Sequence, residues 1–142
     1  MIFRKKIDMM LDDFAQVPLR AHRWDAGLDL RSPKNFIVPS KGSAVVDTGV
    51  HLQIPRGYVG MLKSKSGLNV KHDLTGEGVI DAGYTGSIVV KMYNNGLQPY
   101  RFEKGDKLIQ IVLLPVWTPA IRIVGKFKDT ERQDGGFGSS GK

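Results

Sequence analysis

Five short segments of this 142-residue chain carry glycine, carboxylate, amide, hydroxyl or basic groups where a purely structural β domain needs none. They are Ala26-Gly-Leu-Asp-Leu30, Lys63-Ser-Lys-Ser-Gly-Leu68, Gly78-Val-Ile-Asp-Ala-Gly-Tyr-Thr-Gly86, Gly105-Asp-Lys-Leu-Ile-Gln110 and the tail Arg132-Gln-Asp-Gly-Gly-Phe-Gly-Ser-Ser-Gly-Lys142. In the third, Asp81 sits on an apolar-flanked hairpin, where a carboxylate can take a proton from a held water and so act as a general base. The same residue type also forms turns, and Ala82-Gly83 follows it. Tyr84, three residues on, offers a flat ring, whose commoner role in a hairpin is core packing. Ser66 precedes Gly67-Leu68-Asn69-Val70 and can cap their amides, where a helix N-terminus favours an anion. The tail combines a forked donor, free backbone and an aromatic ring, which are the parts of a nucleotide lid, although Gly/Ser-rich termini are also commonly frayed.

The elements that must position these groups read as β-strands. Short β-branched runs recur from about residue 26: 36–38, 44–46, 50–54, 57–62, 88–93, 107–114 and 120–124, most of them bounded by Gly, Pro, Asn or Asp. Asn94-Asn95-Gly96, Pro39-Ser-Lys-Gly42 and Ile54-Pro-Arg-Gly57 are turn signals, so an all-β, mostly antiparallel barrel or sandwich is expected. Ile7, Met10, Leu11 and Phe14 follow helical spacing and predict a short amphipathic helix near residues 8–15; a second short turn of helix is expected from Ser66.

Composition narrows the function. A 41% hydrophobic content over this length fits one domain, and the absence of cysteine excludes disulfides and thiol catalysis. His22, His51 and His72 lack paired metal-ligand spacing. The N-terminus has no apolar signal core and no run is long enough to cross a bilayer, so a soluble intracellular protein, with no membrane partner, is expected. The formal charge of +7 suits an anionic partner. Its basic residues are scattered and not interleaved with aromatics, which argues against nucleic acid; an anionic small molecule and a simply basic soluble surface both explain the sign.

In order and content the five segments resemble the motifs of the trimeric deoxyuridine triphosphatases (dUTPases), from residue 26 to 142. The resemblance implies an all-β, jelly-roll-like distorted β-barrel with one or two short helices, a body over 1–131 and a mobile C-terminal lid arm over 132–142. It implies hydrolysis of dUTP to dUMP and pyrophosphate by attack on the α-phosphorus, with Asp81 activating the water. Tyr84 would lie under the deoxyribose and exclude a 2′-hydroxyl, while Gly78, Val79, Ile80, Val89 and Lys91 would line the uracil pocket, largely through backbone groups. Lys65, Ser66, Gly67 and Gln110 would serve the phosphates, and Asp29 would meet a magnesium ion through water, which suits that ion's retained hydration. In the arm, Phe137 would stack on uracil, Arg132 would take the γ-phosphate, and Gly138 and Ser139 would add donors. Since such an arm reaches a neighbour, a homotrimer with active sites between subunits is implied, in the cytoplasm of a bacterial cell or phage-infected host.

The chain departs from the family pattern at Lys65, where arginine is usual, at Gly83, where many members are acidic, and at Gln133-Asp134, which replaces Gly-x. Lysine keeps the charge and loses the planar fork. A dCTP deaminase or bifunctional deaminase, similar in fold, should carry glutamate in place of Asp81 and lack the glycine-rich tail. A nucleotide-sensing module without turnover would have no need of the water-activating carboxylate.

Overall fold

In the computed structural model, which describes residues 4–136, the chain forms β1 (Met9–Leu11), β2 (Gly27–Arg31), β3 (Phe36–Val38), β4 (Ser43–Asp47), β5 (Val50–Leu52) and β6 (Tyr58–Lys63). The single helix α1 (Ser66–His72) and the strands β7 (Leu74–Thr75), β8 (Gly78–Ile80), β9 (Val89–Asn94), β10 (Tyr100–Phe102) and β11 (Lys107–Pro115) complete it. Every ladder is antiparallel. The strands form a four-stranded sheet, β2-β11-β6-β8, a three-stranded sheet, β4-β9-β7, and two-stranded pairs β1-β5 and β10-β3. This is a jelly-roll-like all-β fold. Among the described residues the sheets do not join into a closed ring, so the expected barrel is open.

Strand alternation sets the core. Along β9, Val90, Met92 and Asn94 are buried and Val89, Lys91 and Tyr93 are exposed. From the larger sheet Leu30, Leu62, Ile80, Ile109 and Ile111 join Val46, Leu74, Val90 and Met92 in one apolar cluster. Phe102 is fully buried and stacks on Phe36 with centroids 5.0 Å apart. Burying such side chains contributes about 1.5–3 kcal/mol each.

Two expectations change. The helix expected near 8–15 is β1, because Ile7 and Met9, two residues apart, are the side chains that pack on the core. Met10, at 67% exposure, points away with Leu11 and Phe14, so the helical spacing was coincidental. The register Met9↔Leu52 to Leu11↔Val50 and the bond Asp12 N to Gly49 O, 2.9 Å, fix the segment on β5. The strand expected over 120–124 has no ladder; Ile121 and Ile123 are 85% and 95% exposed, and an extended run becomes a strand only when a partner edge is available. The turn expected at Asn94-Asn95-Gly96 is present and leads from β9 to β10, which lie in different sheets. Asn94 donates to the Val38 and Gln98 carbonyls at 3.1 and 2.8 Å, which anchors the crossover.

Candidate active site

Asp29 lies at the centre of β2, in register with Gln110 of β11. Its side chain is 4% exposed, and Lys65 Nζ stands 2.6 Å from Oδ1 and Lys107 Nζ 3.6 Å from Oδ2. Two cations thus converge on one buried carboxylate, the reverse of the excess of acids that a protein-built cation cage needs. Oδ1 still lacks a well-directed hydrogen bond, so the contact with Lys65 is chiefly an ion pair. Lys107 escaped the sequence assignment although it lies within a quoted segment. The register shift between Lys107 and Ile109 brings it to Asp29, a bulge effect that periodicity alone does not report.

Lys65 is also the N-cap of α1, with extended backbone and no side-chain cap, and Ser66 is the first helical residue. Ser66 is therefore not the cap that its sequence context predicts. Ser66 and Gly67 are exposed, and Lys65, Gly67, Leu68, Lys71, His72 and Lys107 line a groove of about 280 Å³. Its four basic side chains make it suited to phosphate. Gln110 Nε2 donates to the Ser64 carbonyl at 3.0 Å, which ties β11 to the start of this loop. Gly27 leaves room for this rotamer, since a Cβ there would lie 2.0 Å from Gln110 Oε1. Ser64, also unassigned from sequence, accepts from Gly76 N at 3.0 Å and donates to Gly76 O at 3.2 Å, a latch between β6 and the corner that precedes β8.

The second cluster stands on the β8 to β9 connection. β8 is an edge strand, and β7 covers β9 only at Tyr93 and Asn94. Among the described residues, Gly78–Ile80, paired with β6, and Val89–Lys91, paired with β4, each keep one edge outside any ladder. These are the free donors and acceptors that a planar base needs. Val79 and Val89 are 60% and 50% exposed beside them, whereas Ile80 turns its side chain into the core. Lys91 is exposed with its Nζ over the Tyr93 ring.

Asp81 is exposed directly after β8. The turn is closed by the main chain, Tyr84 N to Asp81 O at 3.2 Å, and the Asp81 carboxylate accepts no hydrogen bond from the described residues. The turn therefore does not consume the carboxylate. Gly83 takes φ +86°, a left-handed conformation that explains glycine where the family is often acidic. Tyr84 is 46% exposed, so it is no core residue, and its hydroxyl donates to Ser87 O at 2.8 Å. A Cβ on Gly86 would lie 2.6 Å from the Tyr84 hydroxyl, so glycine is what lets the ring lie down on the loop.

The two clusters are separate within one chain. Asp81 shares a cleft of about 480 Å³ with Arg56, Tyr58, Val79 and Val116, none of which lines the Lys65 groove. In the sheet order β2-β11-β6-β8, Asp29 and the strand before Asp81 are three strand spacings apart, roughly 14 Å. Asp106 serves a turn: its Oδ2 accepts from Glu103 N at 2.8 Å. Arg132 is exposed, and its Nε donates to Gly135 O in a local turn. Phe137, Gly138 and Ser139 lie outside the described residues.

A basic groove suited to phosphate and an unspent carboxylate beside exposed strand edges, both on an all-β frame, are features that a nucleotide hydrolase would use. The family model for dUTPase matches residues 13–141. The chain is 39% identical over 130 residues to the deoxyuridine 5′-triphosphate nucleotidohydrolase of Clostridium kluyveri, covering 89% of this chain and 91% of that protein. The solved dUTPase of Staphylococcus bacteriophage 80alpha with dUpNHpp superposes with a TM-score of 0.91 at 33% identity, covering 98% of this chain and all of that one. A dUTPase variant from the S. aureus phage phi11, described with a structural Mg(II) ion, gives a TM-score of 0.82 at 31% identity, with 88% of this chain and all of that one covered. The chain belongs to the dUTPase family.

Proposed function

We propose that this protein is a dUTP diphosphatase that hydrolyses dUTP to dUMP and pyrophosphate, in a homotrimer whose active sites combine elements of different subunits. One observation carries this reading: the phosphate groove and the Asp81 carboxylate are both formed, yet one chain does not bring them together. A symmetric assembly joins the groove of one subunit to the hairpin of the next. The exposed 120–124 run, which pairs with no strand among the described residues, supports an arm that crosses to a neighbour and carries Arg132, Phe137, Gly138 and Ser139 over the nucleotide.

Uracil enters between β8 and the start of β9 and is read by the backbone of Gly78, Val79, Ile80, Val89 and Lys91, with Tyr84 beneath the deoxyribose. Lys65, Ser66, Gly67, Gln110 and Arg132 hold the triphosphate chain, and Phe137 closes on the base. Asp81 takes the proton of a water whose oxygen bonds to the α-phosphorus. The bond from that phosphorus to the bridging oxygen breaks and pyrophosphate leaves, its charge met by Lys65 and Ser66. Closure of the arm excludes bulk water and fixes the line of attack.

Magnesium, when bound with the triphosphate, supplies charge neutralisation between phosphate oxygens. The residues present fit that use. Among the described residues no cluster of three acidic or histidine ligands exists, and Asp29, already ion-paired with Lys65 and Lys107, would serve the ion only through water. The reaction keeps uracil out of DNA and supplies dUMP for thymidylate synthesis. Similarity to bacterial and phage dUTPases supports a site of action in the cytoplasm of a bacterial cell or phage-infected host.

Asp81→Asn tests the assignment. Turnover should fall by about 10²–10⁴-fold, while a non-hydrolysable dUTP analogue still binds in calorimetry. Turnover at the wild-type rate would remove Asp81 from the mechanism.

A further inference from the structure

His51, the central residue of β5, has both ring nitrogens committed to acceptors. Nδ1 lies 2.7 Å from the carbonyl oxygen of Thr85, and Nε2 lies 3.1 Å from each oxygen of the Asp12 carboxylate. Neither partner has a hydrogen to offer in return. A neutral imidazole carries one N–H and can satisfy one contact; the imidazolium satisfies both. The ring is largely enclosed, with a side chain 18% exposed, and it bridges the turn after β1 to the loop that follows β8.

That loop, residues 81–88, carries Asp81 and Tyr84. Its return side is fastened by neutral and carboxylate bonds: Ser87 Oγ to Asp47 Oδ1, Gly49 N to Ser87 Oγ at 3.1 Å, and Ile88 N to Val50 O at 2.9 Å. None of these changes protonation near neutral pH. Thr85 is adjacent to Tyr84, and the described residues hold its carbonyl through His51 alone. The charged groups that face the ring are acidic: Asp12 from the turn after β1, Asp47 at the end of β4, and Asp8 across the cleft that Met9, Met10 and Gln53 also line.

We propose that the His51 imidazolium is a positioning residue for nucleotide hydrolysis, clamping Thr85 to Asp12 so that Tyr84 and Asp81 stay aligned, and that its deprotonation loosens this loop. The inference rests on the assignment of Asp81 and Tyr84 to the nucleotide. The bond from Thr85 O, then that from Asp12, raises the His51 pKa above its ordinary 6.5. With a raised folded value, the clamp is complete below the ordinary value and is lost as pH rises through the raised one.

The test pairs NMR titration of the His51 ring with pH profiles of kcat and KM for dUTP, in the full-length wild type, Asp12→Asn and His51→Gln. Substrate ionisation is common to all three, so differences between profiles report the protein. In the wild type the ring should titrate above 6.5, with a descending limb of kcat/KM at the same midpoint. Asp12→Asn should move the midpoint and the limb to lower pH together. His51→Gln should remove the limb and lower kcat/KM by roughly tenfold at the acidic plateau, within the hundredfold that about 1 Å of misplacement can cost. A wild-type ring that titrates at or below its ordinary value, or a midpoint that moves in Asp12→Asn without the limb, overturns the inference. Retained turnover in Asp81→Asn would instead overturn the site assignment on which it rests.

Discussion

Lys65 Nζ stands 2.6 Å from Asp29 Oδ1, and the carboxylate that it neutralises is 4% exposed. The basic residue in the position where the family favours arginine is thus engaged inside the fold before any phosphate arrives. A lysine suits this double use because its ammonium is a compact charge on a flexible stem, whereas a guanidinium fork would have to satisfy a planar geometry.

Lys65→Met should therefore affect both stability and binding. It leaves Asp29 buried with only Lys107 at 3.6 Å. The expected loss is about 2 kcal/mol, below the roughly 3–5 kcal/mol for a fully buried pair because Lys65 is partly exposed. Urea denaturation measures the first effect and an increase in KM for dUTP the second; unchanged values of both would show the pair to be idle.

Gly27→Ala should disturb the same site from the opposite side. The added methyl would lie 2.0 Å from Gln110 Oε1, so Gln110 must leave the rotamer from which it bonds the Ser64 carbonyl. Strain and the lost hydrogen bond together should cost about 2 kcal/mol. In the double variant Gly27→Ala/Gln110→Ala the collision is absent, so its stability loss should be less than the sum of the two single losses, and simple additivity would argue against the contact.

The divided site predicts complementation. Asp81→Asn and Ser66→Ala are each expected to be poorly active alone. After unfolding, mixing and refolding together, some mixed trimers would carry an intact hairpin facing an intact groove, so activity should exceed the sum of the parts. If the mixture stays at that sum, both groups act from one subunit.

Acid stability should depend on Asp47. Its hydrogen bond from Ser87, followed by that from Gly49, lowers its pKa below the ordinary 3.8. A depressed folded value means that the contribution is present above the ordinary value and is lost as pH falls through the depressed one. Ser87→Ala should lower Tm at neutral pH and flatten the fall of Tm in that acidic window. A parallel profile for the two proteins would show the bond to be inconsequential.

Much of this architecture is legible in the chain. The alternation from Val89 to Asn94 reads directly as a strand with Val90 and Met92 inward, because burial on one face leaves a period of two. The second and fourth polar segments supply Lys65, Gly67 and Lys107 to one groove, and Asp81 and Tyr84 of the third are both found outside the core. Residues 8–15 misled because Met10, Leu11 and Phe14 imitate helical spacing while facing solvent in a single chain. Residues 120–124 read as a strand, yet they pair with nothing among the described residues. Lys107, Ser64 and His51 were illegible for another reason: their roles come from a bulge, a corner latch and a contact between distant segments, which residue spacing does not encode.

The central claim is tested most directly by incubating the protein and magnesium with dUTP, dCTP, dTTP and UTP separately, and resolving nucleoside monophosphate, pyrophosphate and ammonia as products. dUMP and pyrophosphate from dUTP alone is the predicted result. Ammonia from dCTP, or no product from any of the four, would contradict it.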